Sequence, residues 1–173
     1  MLFKYYNFIL ENVGFLGVDA SHWRWQDIVL PVGLSFYIFQ SISYTVDVYR
    51  RQQEPVRNIL NYAAYVCYFP QLVAGPIQRC SFLLPQIISP RVPDRGVLAS
   101  AVLLFGLGFF KKSLADTFSG MVDPIFNDLS GSSPIAVVLA TFGFGLQIYL
   151  DFSGYTDMAR GISKSMGIDL TMN

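Results

Sequence analysis

An all-α, multi-pass bundle embedded in a membrane is the fold this sequence predicts, and three uncharged runs predict it. Residues 28–46, 58–78 and 129–150 contain 19, 21 and 22 residues without an Asp, Glu, Lys or Arg. A hydrocarbon core takes roughly 20 apolar residues per spanning helix. One such run fits the core helix of a soluble domain; three in 173 residues do not. Composition agrees, with 53% hydrophobic residues against 14% charged. The net charge of zero removes the basic field a nucleic-acid partner requires and leaves the lipid bilayer as the first partner.

The elements follow in chain order. Residues 1–17 are interrupted by Lys4 and Glu11 and read as the tail of a membrane helix, with Tyr5, Tyr6 and Phe8 near an interface. Nothing there has the layout of a cleaved signal. "VDASHWRWQD" reads as an interfacial loop anchored by Trp23 and Trp25. Residues 28–46 are the first full span, with Pro31 and Gly33 in its first turn. Gln40, Ser41, Ser43 and Thr45 form a polar stripe expected to face protein. Asp47, Arg50, Arg51, Glu54 and Arg57 mark a solvated loop. From Asn58 the pattern is helical to about Phe69, only about 18 Å of helix. Pro70, Gly75, Pro76, Pro85 and Pro90 then make an extended or short-helical stretch. Residues 95–110 resume a helix that runs into Lys111 and Lys112. Residues 113–133 read as interfacial, and 134–150 as a clean span. "DFSGY" breaks that span and starts a short amphipathic helix, capped by Ser153 and stopped by Gly167. About four or five helices are thus membrane-embedded.

The charges explain the broken stretch "YFPQLVAGPIQR". Arg50, Arg51 and Arg57 flank one end of the 58–78 run, and Arg79, Arg91 and Arg95 the other. A straight span puts one cluster on the wrong side of the membrane. A re-entrant segment that turns at residues 70–76 puts both on one side. Irregular backbone at membrane depth survives only against protein or a water-filled cavity, so the break points to a site.

Four landmarks in order, "LPVGLSFYIFQSISYTVDVYR", "YFPQLVAGPIQR", "GLGFFKKSLAD" and "LQIYLDFSGYTDMARGIS", resemble the membrane-bound O-acyltransferases. The branch that includes alginate O-acetyltransferases resembles the chain more than the D-alanyl transfer branch does. The resemblance implies a helical bundle around a funnel in a bacterial inner membrane. It implies transfer of an acyl group, typically acetyl, to hydroxyls of an exported polysaccharide such as alginate. It implies no bound cofactor; the co-substrate is an acyl thioester such as acetyl-CoA. The partners it implies are that donor and either the polysaccharide acceptor or a periplasmic or extracellular acyl-transfer protein. The family's catalytic histidine lies downstream of the "DFSGY" element and is expected beyond Asn173. The only histidine here, His22, matches no catalytic position of the family, so no catalytic residue is assigned within the chain. Residues 1–173 therefore read as a partial domain, inactive on its own.

Several polar residues are candidates for the funnel. Two roles fit Arg79: a fork for an anionic donor or acidic sugar, or an interfacial anchor. Gln71, with Gly75 and Pro76, shapes the break. Lys111 and Lys112 either end a helix or turn a charged pair inward, and Lys112 lies four residues from Asp116. Asp151 follows a long apolar run and needs partners, for which Gln147 and Tyr155 are near in sequence. Asp157 and Arg160 are spaced to pair. A carboxylate at 151 or 157 alternatively orients a catalytic histidine. Cys67 and Cys80 have no metal or redox spacing, and Cys67 reads as a packing residue. Two rivals stand beside the enzyme. One is a transporter, whose broken helices bind substrate at mid-membrane, against which no inverted repeat is seen. The other is an inactive membrane fragment.

Overall fold

The computed structural model describes residues 33–172, apart from 74 and 130. Expectations for residues 1–32, including His22, Trp23, Trp25 and Pro31, lie outside the described residues. Asn173 lies outside them too. Residues 35–173 group as one compact unit. The described secondary structure is helical: α1 Leu34–Tyr49, α2 Ile59–Val66, a 3-10 turn Phe69–Gln71, α3 Cys80–Ile88, α4 Arg95–Asn127 and α5 Pro134–Ser165.

Gly33 precedes α1 at φ +78 instead of lying in its first turn. Of the polar stripe only Gln40 is buried, donating from Nε2 to the Tyr65 carbonyl at 2.9 Å. Ser41 and Thr45 instead bond the carbonyls four residues back, at 2.7 and 2.9 Å. Hydroxyls satisfied in this way need no protein neighbour. Asp47 is not in the loop. It is buried in the last turn of α1. The loop begins after a Schellman close, with Gln52 N to Asp47 O at 2.9 Å and Arg51 N to Val48 O at 3.0 Å. Arg51 holds the left-handed position of that motif at φ 58.

α2 starts where the Asn58 side chain accepts from Leu60 N at 2.9 Å. It stops at Val66, three residues before Phe69, because Pro70 has no N–H to return and crowds the carbonyl four residues earlier. The chain then turns through Phe69–Gln71 and reverses at Gly75, whose N–H bonds the Gln71 carbonyl at 3.2 Å. A Cβ on Gly75 would lie 2.4 Å from Gln71 Cα, so the reversal requires glycine. Residues 70–79 are accordingly not a continuous helix. α3 returns against α2. The Tyr65 hydroxyl closes the reversal, donating to the Gln78 carbonyl at 2.9 Å. Tyr65, Tyr68, Cys80, Leu83 and Leu84 form a core with Ala159 of α5 and with Ile168 and Leu170 beyond it. Cys80, not Cys67, is the packing cysteine; Cys67 is exposed. Burial pushes the Cys80 thiol above its usual range.

α4 and α5 have 33 and 32 residues, roughly 50 Å each at 1.5 Å per residue. Both are long and apolar enough to cross a membrane, and only 11% and 6% of their most apolar windows are buried. That exposure is the reverse of a soluble core helix. Among the described residues these two alone reach spanning length, against the four or five embedded helices expected.

Two expected boundaries fall inside helices. Residues 113–127 are not a separate segment but the second half of α4. "DFSGY" does not break α5, whose N-cap is Ser133 rather than Ser153, accepting from Ala136 N at 3.2 Å. Gly154 is a packing residue instead. Its Cβ would lie 2.8 Å from Gly108 O and 3.0 Å from Lys112 N. Buried Ala101, Gly108, Ala115 and Val122 recur every seven residues on α4. Ala140, Gln147, Gly154 and Gly161 do so on α5. Gly108 meets Gly154, and a Cβ on Gly161 would lie 2.8 Å from Ala101 O. The helices are thus antiparallel along a seam of small residues with the seven-residue period of supercoiled pairs. Gly167 ends α5 as expected, at φ +76, with Ile168 N to Ser163 O at 3.0 Å.

Candidate functional site

The seam brings two lysines of α4 to two aspartates of α5. Lys111 and Lys112 lie three and four residues past Gly108, so they leave the seam on opposite sides. Lys111 Nζ donates to Asp157 Oδ2 at 2.5 Å and to Ser153 Oγ at 2.9 Å. Lys112 Nζ lies 2.7 Å from both Asp116 Oδ1 and Asp151 Oδ1. The two pairs differ in burial. The Lys111 and Asp157 side chains are 24% and 12% exposed, whereas Lys112 and Asp151 are 42% and 55% exposed. Removing one partner of a buried pair costs about 3–5 kcal/mol, because a charge is left without compensation. The Lys111–Asp157 side carries the more enclosed of the two pairs.

That side opens on a cavity of about 280 Å³ lined by Lys111, Tyr149, Phe152, Ser153, Thr156, Asp157, Arg160 and Met172. Residues 149, 153, 156, 157 and 160 share one face of α5 by helical spacing. Arg160 Nη1 lies 3.7 Å from Asp157 Oδ1, beyond hydrogen-bonding distance. The Arg160 Nε and Thr156 Oγ1 atoms are buried without a hydrogen-bond partner. Buried polar atoms are nearly always paired, so these two, unpaired among the described residues, stand out in the wall.

The sequence candidates separate into groups. Lys111 and Asp157 come together in the cavity wall. Lys112 and Asp151 meet on the other side of the seam, so the partner of Asp151 is Lys112, not Gln147 or Tyr155. Gln147 lies on the seam with Oε1 buried and unpaired. The Tyr155 hydroxyl accepts from Val73 N at 3.3 Å, tying α5 to the broken segment. Gln71 is buried there with neither amide atom bonded. Arg79 is exposed at the head of α3 and pairs with no described residue. Thr156 and the lysine-binding role of Ser153 escaped the sequence reading, although the 153, 156, 157, 160 spacing placed them beside Asp157. No three His, Cys, Asp or Glu side chains gather as a metal-binding set among the described residues.

No family model matches the chain. It is 36% identical over 177 residues to the probable alginate O-acetylase AlgI of Pseudomonas syringae pv. tomato, an alignment covering 99% of this chain and 33% of that protein. With the protein of the same description from Pseudomonas fluorescens it shares 39% over 171 residues, covering 96% and 32%. With the peptidoglycan O-acetyltransferase of Helicobacter pylori it shares 31% over 198 residues, covering 99% and 37%. The chain spans about a third of the length of these curated relatives. Similarity along nearly the whole chain, with the two exposed apolar helices, marks this as a membrane protein homologous to the membrane-bound O-acyltransferases.

Proposed function

We propose that the chain is part of a bacterial inner-membrane enzyme that transfers acetyl from a thioester such as acetyl-CoA to hydroxyls of an exported polysaccharide such as alginate. A periplasmic or extracellular carrier protein is the alternative acceptor. The observation that carries this reading is the alignment of 99% of the chain with proteins described as O-acetylases. Those names favour a transferase over a transporter. Residues 1–173 are, in this reading, part of a larger acyltransferase domain.

In the reaction the acceptor oxygen bonds to the thioester carbonyl carbon, the carbon–sulfur bond breaks, and the hydroxyl proton passes through a general base to the departing sulfur. The resemblance assigns the base to a histidine downstream of residues 151–155, beyond Asn173. The described residues contribute the wall. Asp157 and Ser153 hold the Lys111 ammonium at a fixed point. Arg160 and Thr156 line the cavity as well, each with one buried polar atom unpaired among the described residues. The flanking rings of Tyr149 and Phe152 limit water, which would otherwise hydrolyse the donor.

Asp157→Asn tests the placement. In cells making the full-length protein it is expected to lower incorporation of labelled acetyl into exported polysaccharide by about tenfold, a barrier change of ~1.4 kcal/mol, with protein level retained. Asp157→Glu restores part of the activity. Incorporation unchanged in Asp157→Asn would contradict the reading.

A further inference from the structure

From Gly167 onward the chain meets α3 in reverse order. The Gly167 carbonyl accepts from Arg91 N at 3.4 Å, Asp169 meets Gln86, and Thr171 meets Gln78. Burial alternates along these residues. Ile168 and Leu170 enter the core with Tyr65, Cys80 and Leu83, whereas Asp169 and Thr171 are exposed. Alternation of this kind is the period of an extended segment. Its length fits: the steps from Gly167 to Thr171, at about 3.3 Å each, cover roughly 13 Å, as do the nine residues of α3 at about 1.5 Å each. The tail therefore runs the length of α3 and arrives at the end of the broken segment.

An extended segment has no hydrogen-bond ladder of its own, so its polar groups need outside partners. Gln86 answers both backbone groups of Asp169. Its Oε1 accepts from Asp169 N at 2.8 Å, and its Nε2 donates to Asp169 O at 3.3 Å. The same Nε2 donates to the Phe82 carbonyl at 3.0 Å, which fixes the plane of the amide on α3. Gln78, only 2% exposed, bonds the Thr171 hydroxyl in both senses, donating at 2.8 Å and accepting at 3.0 Å. Met172, next in the chain, lines the cavity with Lys111 and Asp157.

We propose that Gln78 and Gln86 are positioning residues for acyl transfer: they hold residues 167–171 along α3 and so set where Met172 and the segment after it meet the cavity wall. The inference rests on the acyltransferase reading above and adds to it the side chains that place one edge of the cavity. Neither glutamine lines the cavity, so both act through the tail. Loosening the tail disturbs alignment more than affinity, and a misplacement of about 1 Å costs up to ~100-fold in rate.

The test uses the full-length enzyme in proteoliposomes, with two readouts. One is the distance distribution between spin labels at positions 142 and 172, with Cys67 and Cys80 replaced by Ser and Ala. The other is kcat and KM for acetyl transfer by unlabelled protein. Gln86→Met keeps the length of the side chain and removes both bonds to Asp169. It is expected to broaden the distribution and lower kcat about tenfold, with KM changed by less than about twofold. Gln86→Glu keeps the acceptor for Asp169 N and is expected to retain part of kcat. Thr171→Val removes only the bonds to Gln78 and falls between. Unchanged distances in Gln86→Met and Thr171→Val would overturn the proposal. So would broadened distances with unchanged kcat, or a loss in Gln86→Glu equal to that in Gln86→Met. Should Gln86→Met fail to fold, Thr171→Val carries the same comparison with a smaller expected change. If the distances respond as expected but the wild type transfers no acetyl, the acyltransferase reading fails while the placement of the tail stands.

Discussion

Where α4 meets α5, the contacts run between glycine and alanine backbones: Gly108 against Gly154, and Ala101 against Gly161. Where α2, the turn at Phe69–Gln71 and α3 meet, they run through amides and hydroxyls: Gln40 to Tyr65 and Tyr65 to Gln78. The glutamines continue into the tail after α5, with Gln78 bonded to Thr171 at 2.8 Å and Gln86 Oε1 accepting from Asp169 N at 2.8 Å. The difference follows from what each region asks of its backbone. A continuous helix satisfies its own N–H and C=O groups, so two helices in lipid can meet backbone to backbone, here with the Lys111–Asp157 and Lys112–Asp151 ion pairs flanking the seam. A broken segment leaves backbone groups open, and polar side chains must answer them.

The comparison is easiest to break at the seam. A side chain at Gly154 would collide with the backbone of α4, where no rotamer change relieves it. Gly154→Leu is expected to separate the helices and destabilise the full-length protein by about 3 kcal/mol, read as loss of folded protein on thermal unfolding in detergent. Gly145 is the control, since a Cβ there meets nothing within 4 Å. Equal sensitivity at 145 and 154 would refute the seam. The broken segment responds more mildly to a single change. Tyr65→Phe keeps the ring in its fully buried place and removes the bond to Gln78. A loss of about 1 kcal/mol in the same unfolding measurement is expected, and no loss would show the bond to be dispensable.

The two regions also differed in how legible they were from the sequence. Pro70, Gly75 and Pro76 announce a break because their backbone restrictions are local. The Lys112–Asp116 and Asp157–Arg160 juxtapositions follow from helical spacing, and Gly167 stops α5 as its type suggests. The seam was hidden because a helix facing lipid is apolar all round, so its packing face differs in size and not in polarity. Gly154 therefore read as a breaker. Lys111 and Asp157 are 46 residues apart, so no local spacing pairs them; only the antiparallel register does. Asp47 looked solvated beside Arg50 and Arg51, but the returning hairpin encloses it with Tyr65 and Cys80 nearby.

The central claim is that the two long helices cross the membrane while the segment between Arg57 and Arg79 enters and returns. Single cysteines at these two positions, in full-length protein with Cys67 and Cys80 replaced by Ser and Ala, report it directly. An impermeant thiol reagent applied to sealed, oriented vesicles is expected to label both from the same face. Labelling of 57 from one face and 79 from the other would contradict the account.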